Sequence, residues 1–155
     1  MRRKKKVDRP IAPDPLYNDE LIAKFINYLM VSGKKTTARR VFYAAMEIIK
    51  TKTKKDPVVI FHDAINNIAP RVEVISRRIG GAHYQIPKEV SGERKNTLAI
   101  RWLVQASRKA KGKPISEKLS NEILAAINHE GEAIKKKKDI ERMADANRAF
   151  AHFAW

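Results

Sequence analysis

Along this chain, stretches in which apolar residues recur every three or four positions alternate with short breaks rich in glycine and proline. Such spacing predicts amphipathic helices separated by turns. We expect a first helix capped by Asn18 and stopped by Gly33, and a second from about Thr36 to Thr51. The core positions predicted in these two helices are Leu21, Ile22, Phe25, Ile26, Leu29, Met30, Val41, Phe42, Ala45, Ile48 and Ile49.

Four more helices are expected further along the chain. Asp56 followed by a proline is typical of a helix start, and it favours a third helix although Val58–Phe61 would also suit a strand. The fourth spans about Gly92 to Lys111, the fifth follows a Ser116 cap, and the sixth begins near Glu132. Their predicted core positions are Val58, Phe61, Ile65, Ile68, Leu98, Trp102, Leu103, Ala106, Leu119, Ile123, Ala126, Ile127, Ile140, Met143, Ala144 and Phe150.

Between the third and fourth helices the apolar period changes from about 3.6 to 2. Val72 and Val74 precede a Gly80-Gly81 pair, and Tyr84 and Ile86 follow it, which indicates a β-hairpin. The prediction is therefore a mainly α protein: a single domain of about six helices, residues 18–155, with one protruding β-hairpin arm at about residues 72–90.

The net charge of the chain narrows the classes of partner that it could bind. The chain has 33 Lys and Arg against 17 Asp and Glu, a formal net charge of +16. A compact body with that excess repels itself, so a polyanionic partner is expected, with nucleic acid favoured. An anionic membrane surface is less favoured because no helix combines an apolar face with aromatic anchors. No apolar run approaches the ~18 residues of a membrane span, so we expect no membrane partner.

The N-terminal basic run precedes three prolines, which favour an extended arm over residues 1–17. The run could be a solvated or nuclear-targeting tail, or it could order along phosphates. On the second interpretation, the nucleic-acid-binding residues of the arm are Arg2, Arg3, Lys4, Lys5, Lys6 and Arg9.

Three further basic clusters follow. Lys34, Lys35 and Arg39 crowd the positive end of the second helix, where a bound phosphate would relieve the conflict and solvation is the alternative. Spacing by seven places one arginine row on a single face of the fourth helix, to track phosphates or simply to meet solvent. The row is Arg94, Arg101 and Arg108, and the hairpin adds Arg77, Arg78, His83 and Lys88.

The C-terminal stretch is both aromatic and basic, with Arg148, His152 and Trp155. It could fold back on the core or stack on a nucleotide. Catalysis is not expected, because the four histidines have no spacing typical of metal ligands and no P-loop, HExxH or G-x-S-x-G pattern is present. With no cysteine in the chain, zinc fingers and disulfides are excluded. We therefore predict no cofactor, no metal and no small-molecule substrate.

Three stretches, in order along the chain, resemble the family of the seventh protein of the small ribosomal subunit, of the bacterial or organellar type. They are Asp14–Tyr17 with Lys24–Asn27 and Gly33–Lys35, then the hairpin from Val72 to Pro87, then Met143–His152. The resemblance covers essentially the whole chain. Two departures are Ile75, where many relatives have a basic residue, and Phe153–Trp155, which lacks an arginine before the final aromatic residue.

The resemblance implies a structural role in the ribosome, in the cytoplasm or in an organellar matrix or stroma. It implies direct binding to the 3′ major domain of 16S rRNA, as a primary binder that nucleates assembly of the subunit head. It also implies a place at the subunit interface, beside the exit-site tRNA and small-subunit proteins nine and eleven. The residues expected near tRNA are Gly80, Gly81, Ala82, His83, Arg148, His152 and Trp155.

Two other classes remain. A DNA-binding helix-turn-helix could use the turn at Ser32-Gly33, although the next helix offers few base-reading side chains and the hairpin would have no role. An RNA-modifying enzyme would need a cofactor motif that the sequence lacks. A preference for structured RNA over duplex DNA separates the first alternative from the ribosomal hypothesis.

Overall fold

A computed structural model describes residues 10–153 of the 155-residue chain. It confirms the mainly α class with one hairpin arm. In chain order the elements are α1 (Glu20–Leu29), α2 (Lys35–Thr53), α3 (Pro57–Ile68), β1 (Val72–Ile79), β2 (Ala82–Glu89), α4 (Gly92–Lys109), α5 (Ile115–Ile127), α6 (Glu132–Ala146) and a 3-10 helix, Arg148–Phe153. We refer to this last element as the C-terminal turn.

Three phenylalanines meet at the centre of the helical domain. Phe25 on α1, Phe42 on α2 and Phe61 on α3 are fully buried, with ring centroids 5.2 to 5.4 Å apart. Edge-on and tilted rings at such distances add about 0.5–1.5 kcal/mol per pair beyond the burial itself. Helix α5 packs against α2, α3 and α4 and closes the core from the other side.

Two predicted helix starts were wrong by one or two residues. Asp19, not Asn18, caps α1: its carboxylate accepts a hydrogen bond of 2.9 Å from the Ile22 backbone N–H. Asn18 is in the left-handed conformation with φ 48°, which turns the chain into the cap. Helix α5 follows Pro114, so Ser116 lies inside its first turn and does not cap it.

Most predicted core positions are buried, and Met143 is the clear exception with 47% of its surface exposed. On α6 the buried side runs through Ala144 and the half-buried Ile140, one turn apart, and Met143 falls at the edge of that stripe. Met46 is buried and was not predicted. Half-buried rather than buried are Leu21, Met30, Val41, Ile48, Val58, Ile127 and Phe150.

The hairpin pairs Val72 with Glu89 at its base and Ile79 with Ala82 at its tip. Gly80 and Gly81 both have positive φ, 55° and 93°, as a two-residue type I′ turn requires. Ile86 on β2 is buried, and both strands contact α6. The arm therefore rests on α6, which supplies the apolar support that an isolated two-stranded ribbon lacks.

The segment before α1 is fastened to the domain through Asp14, of which only 2% is exposed. Its carboxylate accepts hydrogen bonds from the backbone N–H groups of Leu16 and Tyr17 and from the Tyr43 hydroxyl, at 2.9 and 3.0 Å from the two carboxylate oxygens. Residues 14–17, which the sequence assigned to the extended arm, are thus tied to α2. Burial, together with donation to Asp14, raises the pKa of Tyr43 to about 12.

Tyr43→Phe should lower the free energy of unfolding at neutral pH by about 1–3 kcal/mol, because a buried carboxylate loses a donor. The Tyr43 hydroxyl ionises near 10.0 in the unfolded chain and at about 12 in the folded one. Its contribution is therefore fully present below pH 10 and is lost as the pH rises towards 12. Urea unfolding of both proteins at pH 7 to 11 would show the difference narrowing above pH 10.

Tyr28→Phe on α1 is the matched control, since its hydroxyl does not contact Asp14. If the difference in the free energy of unfolding between the wild type and Tyr43→Phe stays constant from pH 7 to 11, ionisation of the Tyr43 hydroxyl is not coupled to folding and the prediction is contradicted.

Candidate nucleic-acid interface

The exposed face of α4 carries the predicted row of Arg94, Arg101 and Arg108. At ~1.5 Å per residue the row spans about 21 Å of the helix axis. The opposite face buries Trp102 and Leu103 in the core. Because the apolar face must be buried, the arginine face is necessarily turned to solvent.

The first end of the row meets the base of the hairpin. The Nε and Nη2 atoms of Arg94 donate to Glu73 Oε2 on β1 at 3.2 and 3.1 Å. Glu73 is paired across the sheet with Lys88, an exposed residue of the predicted RNA-binding set. Helix α4 and the hairpin are therefore joined at this point, and Lys88 lies across the ribbon from the glutamate that Arg94 binds.

The other end of the row meets the turn between α1 and α2. Arg108 Nη2 donates to the Leu29 carbonyl oxygen at 2.9 Å. Between the ends, the Arg101 guanidinium lies 5.5 Å from the centre of the Tyr28 ring, a cation–π contact. Arg108 also shares a cavity with Lys34. The row thus connects two clusters that are far apart in the sequence.

We name this set the basic strip: Lys88, Arg94, Arg101, Arg108, Lys34 and Lys35. The row was predicted as a set of cations facing solvent or phosphates, whereas each arginine also has a partner within the protein. A guanidinium has five N–H donors, so each can still bind an anion with those that remain. The internal contacts orient the groups in advance.

The start of α2 confirms the conflict seen in the sequence. Lys34 occupies the cap position without a side-chain hydrogen bond, and the first turn contains no acidic residue. The chain reaches this point through Ser32 and Gly33, both with positive φ. Lys34 and Lys35 therefore lie at the positive end of the helix dipole without a side-chain anion in the first turn to offset it.

Arg39 does not join this surface cluster. It is half-buried, and its Nε atom is buried without a hydrogen-bond partner among residues 10–153. Its charge lies close enough to Tyr43 to act on the pKa of that hydroxyl, opposing the effect of Asp14. Arg39 is thus placed beside the anchor of the N-terminal segment.

The two hairpin arginines lie on opposite faces of the ribbon. Arg77 pairs with Tyr84 and Arg78 with His83, and successive residues of a strand point in opposite directions. Arg77 Nη1 donates to the Phe153 carbonyl oxygen at 3.5 Å, on the side of the C-terminal turn. Arg78 is exposed on the other face. The two were predicted as one pair but do not share a surface.

The C-terminal aromatic residues pack on the hairpin. Phe150 and Phe153 have ring centroids 5.2 and 6.2 Å from that of Tyr84 on β2. The C-terminal turn and the arm therefore form one unit, on which Arg148 and His152 are exposed. Of the other predicted residues, Arg2, Arg3, Lys4, Lys5, Lys6, Arg9 and Trp155 lie outside the described range.

Sequence reasoning overlooked several residues of this surface and of the arm. Lys111 and Lys113 are exposed in the loop directly after the arginine row, and the alternating lysines of residues 109–113 were a usable signal. Tyr28 and Tyr84 were not recognised as partners of the cation row and of the C-terminal turn. No local pattern reveals either contact, because each depends on how separate elements pack.

The histidine and carboxylate that lie close together among residues 10–153 have a structural role. His62 Nε2 lies 2.7 Å from Asp19 Oδ2, which already caps α1. Burial opposes ionisation of Asp19, but hydrogen bonds from Ile22 and His62 hold the pKa of its carboxyl below the usual value. Within residues 10–153, no three His, Asp or Glu side chains are grouped to hold a metal ion, and no helix is long and apolar enough to cross a bilayer.

Comparison with known proteins adds a family. The profile of the family described as Ribosomal protein S7p/S5e matches residues 1–148. The chain is 54% identical over 155 residues to the small ribosomal subunit protein uS7 of Thermotoga petrophila, covering 100% of both chains. The proteins of the same name from Novosphingobium aromaticivorans and Colwellia psychrerythraea are 50% and 51% identical over 154 residues, or 99% of each chain.

The contacts separate cations that stabilise the free protein from those that do not. Arg108→Ala should lower the free energy of unfolding by about 1 kcal/mol, because the Leu29 carbonyl loses a charged donor. Lys34→Ala with Lys35→Ala should leave it unchanged or raise it by a few tenths of a kcal/mol, since cations are removed from the positive end of α2. Thermal unfolding of the free proteins measures both. A double lysine variant destabilised as much as Arg108→Ala would show that the lysines have a structural role.

Proposed function

The chain belongs to the ribosomal protein S7p/S5e family, and from that premise we propose that the basic strip is its surface for ribosomal RNA. Family membership makes the chain a structural protein of the small ribosomal subunit and not an enzyme, as the sequence predicted. We further propose that it binds the 3′ major domain of 16S rRNA directly and nucleates assembly of the head.

The continuity of the strip carries this proposal. Arg94 is joined to the hairpin base and Arg108 to the α1–α2 turn, so cations from β2, α4 and the start of α2 lie along one path. Its arginine row alone extends about 21 Å, enough to contact several successive phosphates. Phosphate contacts of this kind supply affinity and position the protein without reading sequence.

Specificity would then come from the shape of an RNA junction. The major groove of A-form RNA is too narrow for side chains to read, so proteins recognise backbone geometry and unpaired bases. A rigid path of pre-oriented arginines suits one arrangement of phosphates better than others. The N-terminal residues Arg2, Arg3, Lys4, Lys5, Lys6 and Arg9 would extend the same electrostatic contact.

The arm formed by the hairpin and the C-terminal turn would serve a second RNA, the exit-site tRNA. Gly80, Gly81, Ala82 and His83 make an exposed tip, with open space around both glycines. A small tip allows another backbone to approach closely. Because the C-terminal turn packs on Tyr84, Arg148 and His152 belong to the same arm. Proteins nine and eleven of the subunit would be its protein neighbours, in a cytoplasmic or organellar ribosome.

The test is binding to a transcript of the 3′ major domain, combined with footprinting. Affinity should fall steeply with salt, as for about 6–10 phosphate contacts. Deleting residues 1–9 should flatten the slope and leave the protected nucleotides unchanged, because the arm adds charge without choosing the site. Equal affinity for duplex DNA would instead favour the helix-turn-helix alternative. A shifted footprint after the deletion would contradict the role given to the arm.

A shortened hairpin tests the second role. Removing Arg78, Ile79, Ala82 and His83 takes one two-residue period from each strand, so the Gly80-Gly81 turn closes on the Arg77–Tyr84 pair. We expect rRNA affinity no lower than that of the control Arg78→Ala, which loses the same charge, but altered retention of exit-site tRNA in a translating system. Loss of rRNA binding beyond that of the control would make the tip an rRNA anchor.

A further inference from the structure

A small cavity lies beside the end of the basic strip where α1, α2, α4 and α5 meet. Its volume is about 220 Å³, and we name it the apolar pit. Five of the residues that line it are aliphatic, and Val31 at the rim is 59% exposed. The residues that line it are Leu29, Val31, Lys34, Thr37, Ala38, Val41, Arg108 and Ile115.

The charge of its lining distinguishes the pit. Four other surface cavities within residues 10–153 each include at least one carboxylate, such as Asp63 or Glu93. The pit has two cations, Lys34 and Arg108, and no acidic residue in its lining. It therefore complements an occupant with an apolar body and an attached negative charge.

The rim of the pit is held in place without a ligand. The Lys34 backbone N–H donates to the Val31 carbonyl oxygen at 3.1 Å, and that of Lys35 to Gly33 at 2.8 Å. Across the opening, Arg108 is fixed to the Leu29 carbonyl oxygen at 2.9 Å. A preformed site of this kind loses little freedom when it is filled.

We propose that the apolar pit receives one unstacked nucleobase of the bound RNA, with the adjoining phosphate held between Lys34 and Arg108. The inference rests on the proposed function and adds to it a point of contact with a base. Apolar side chains accept the faces of a flipped base, and RNA loops and junctions supply bases free of pairing.

An acidic protein segment is less well suited to the same place. The cations at the pit belong to the strip, which continues along α4 to the hairpin base, so the occupant must carry negative charge well beyond the pit. Phosphates provide that charge at every residue of an RNA strand. A short peptide provides it only where carboxylates happen to fall.

Thr37→Met tests the proposal, with Thr36→Met as the matched control. Both threonines are exposed in the first turn of α2, but only Thr37 lines the pit. The probe is a transcript of the 3′ major domain of 16S rRNA. Thr37→Met should weaken its binding about tenfold, because the contact with one base is lost, and expose one unpaired base that the wild type protects from chemical modification. The salt slope should not change, because no cation is removed.

Thr36→Met should match the wild type in every readout, and both variants should melt as the wild type does. Val31→Ser, which removes an exposed apolar wall, should act in the same direction as Thr37→Met. If the wild type does not prefer the transcript to duplex DNA, the proposed function fails and this inference with it. If the wild type binds and Thr37→Met behaves like Thr36→Met, the base-binding role is overturned and an acidic protein segment becomes the better occupant.

Discussion

The position of every helix that carries the basic strip depends on the packing of Phe25, Phe42 and Phe61. These rings hold α1, α2 and α3 together, and α4 packs against α1 and α3. Because of that packing, the end of α1 offers its last carbonyl to Arg108 on α4. The cation path is thus a consequence of an apolar core, since a helix that buries one face must expose the other.

Besides Lys88 on the hairpin, the strip combines two kinds of cation. Its arginines are oriented by contacts within the protein, to Glu73, the Tyr28 ring and the Leu29 carbonyl. Lys34 and Lys35 instead lie at a helix start that opposes them electrostatically. We infer that the arginines define the geometry of the RNA path. The lysines instead contribute affinity, because a bound anion offsets their unfavourable interaction with the helix dipole. With a net charge of +16, repulsion among like charges destabilises the free folded protein.

Periodicity, together with cap and turn residues, was sufficient for the six helices and the hairpin but not for the C-terminal turn, because Phe150 was counted with the sixth helix. The helices, the hairpin and its glycine turn follow from local patterns of apolar residues, because burial of those residues is what the fold must achieve. Structural details that depend on a single residue, such as which residue caps a helix, were harder to predict from the sequence. Asn18 and Asp19 are both good caps, and the choice between them is decided by the left-handed backbone at Asn18 and the contact of Asp19 with His62.

The candidate site was predictable in its charges but not in its connections. Lys34 and the arginine row are recognisable in the sequence, yet that Arg94 meets Glu73 depends on the direction of the hairpin relative to α4. Likewise, the packing of Phe150 on Tyr84 joins segments far apart in the chain. The alternation rule could have separated Arg77 from Arg78, since adjacent strand residues point to opposite faces.

The central claim is that the basic strip faces ribosomal RNA, and it can be measured by directed cleavage. The chain contains no cysteine, so Ser91→Cys, Gln105→Cys and Asp63→Cys each create one attachment point for an iron chelate that generates hydroxyl radicals. All three positions are exposed; the first two flank the strip, and Asp63 lines the carboxylate-containing cavity between α3 and α5. Bound to the 3′ major-domain transcript, the first two proteins should cut distinct, neighbouring stretches of RNA and the third should cut little. Strong cleavage from Asp63 with none from Ser91 and Gln105 would place the RNA on another face and contradict the account.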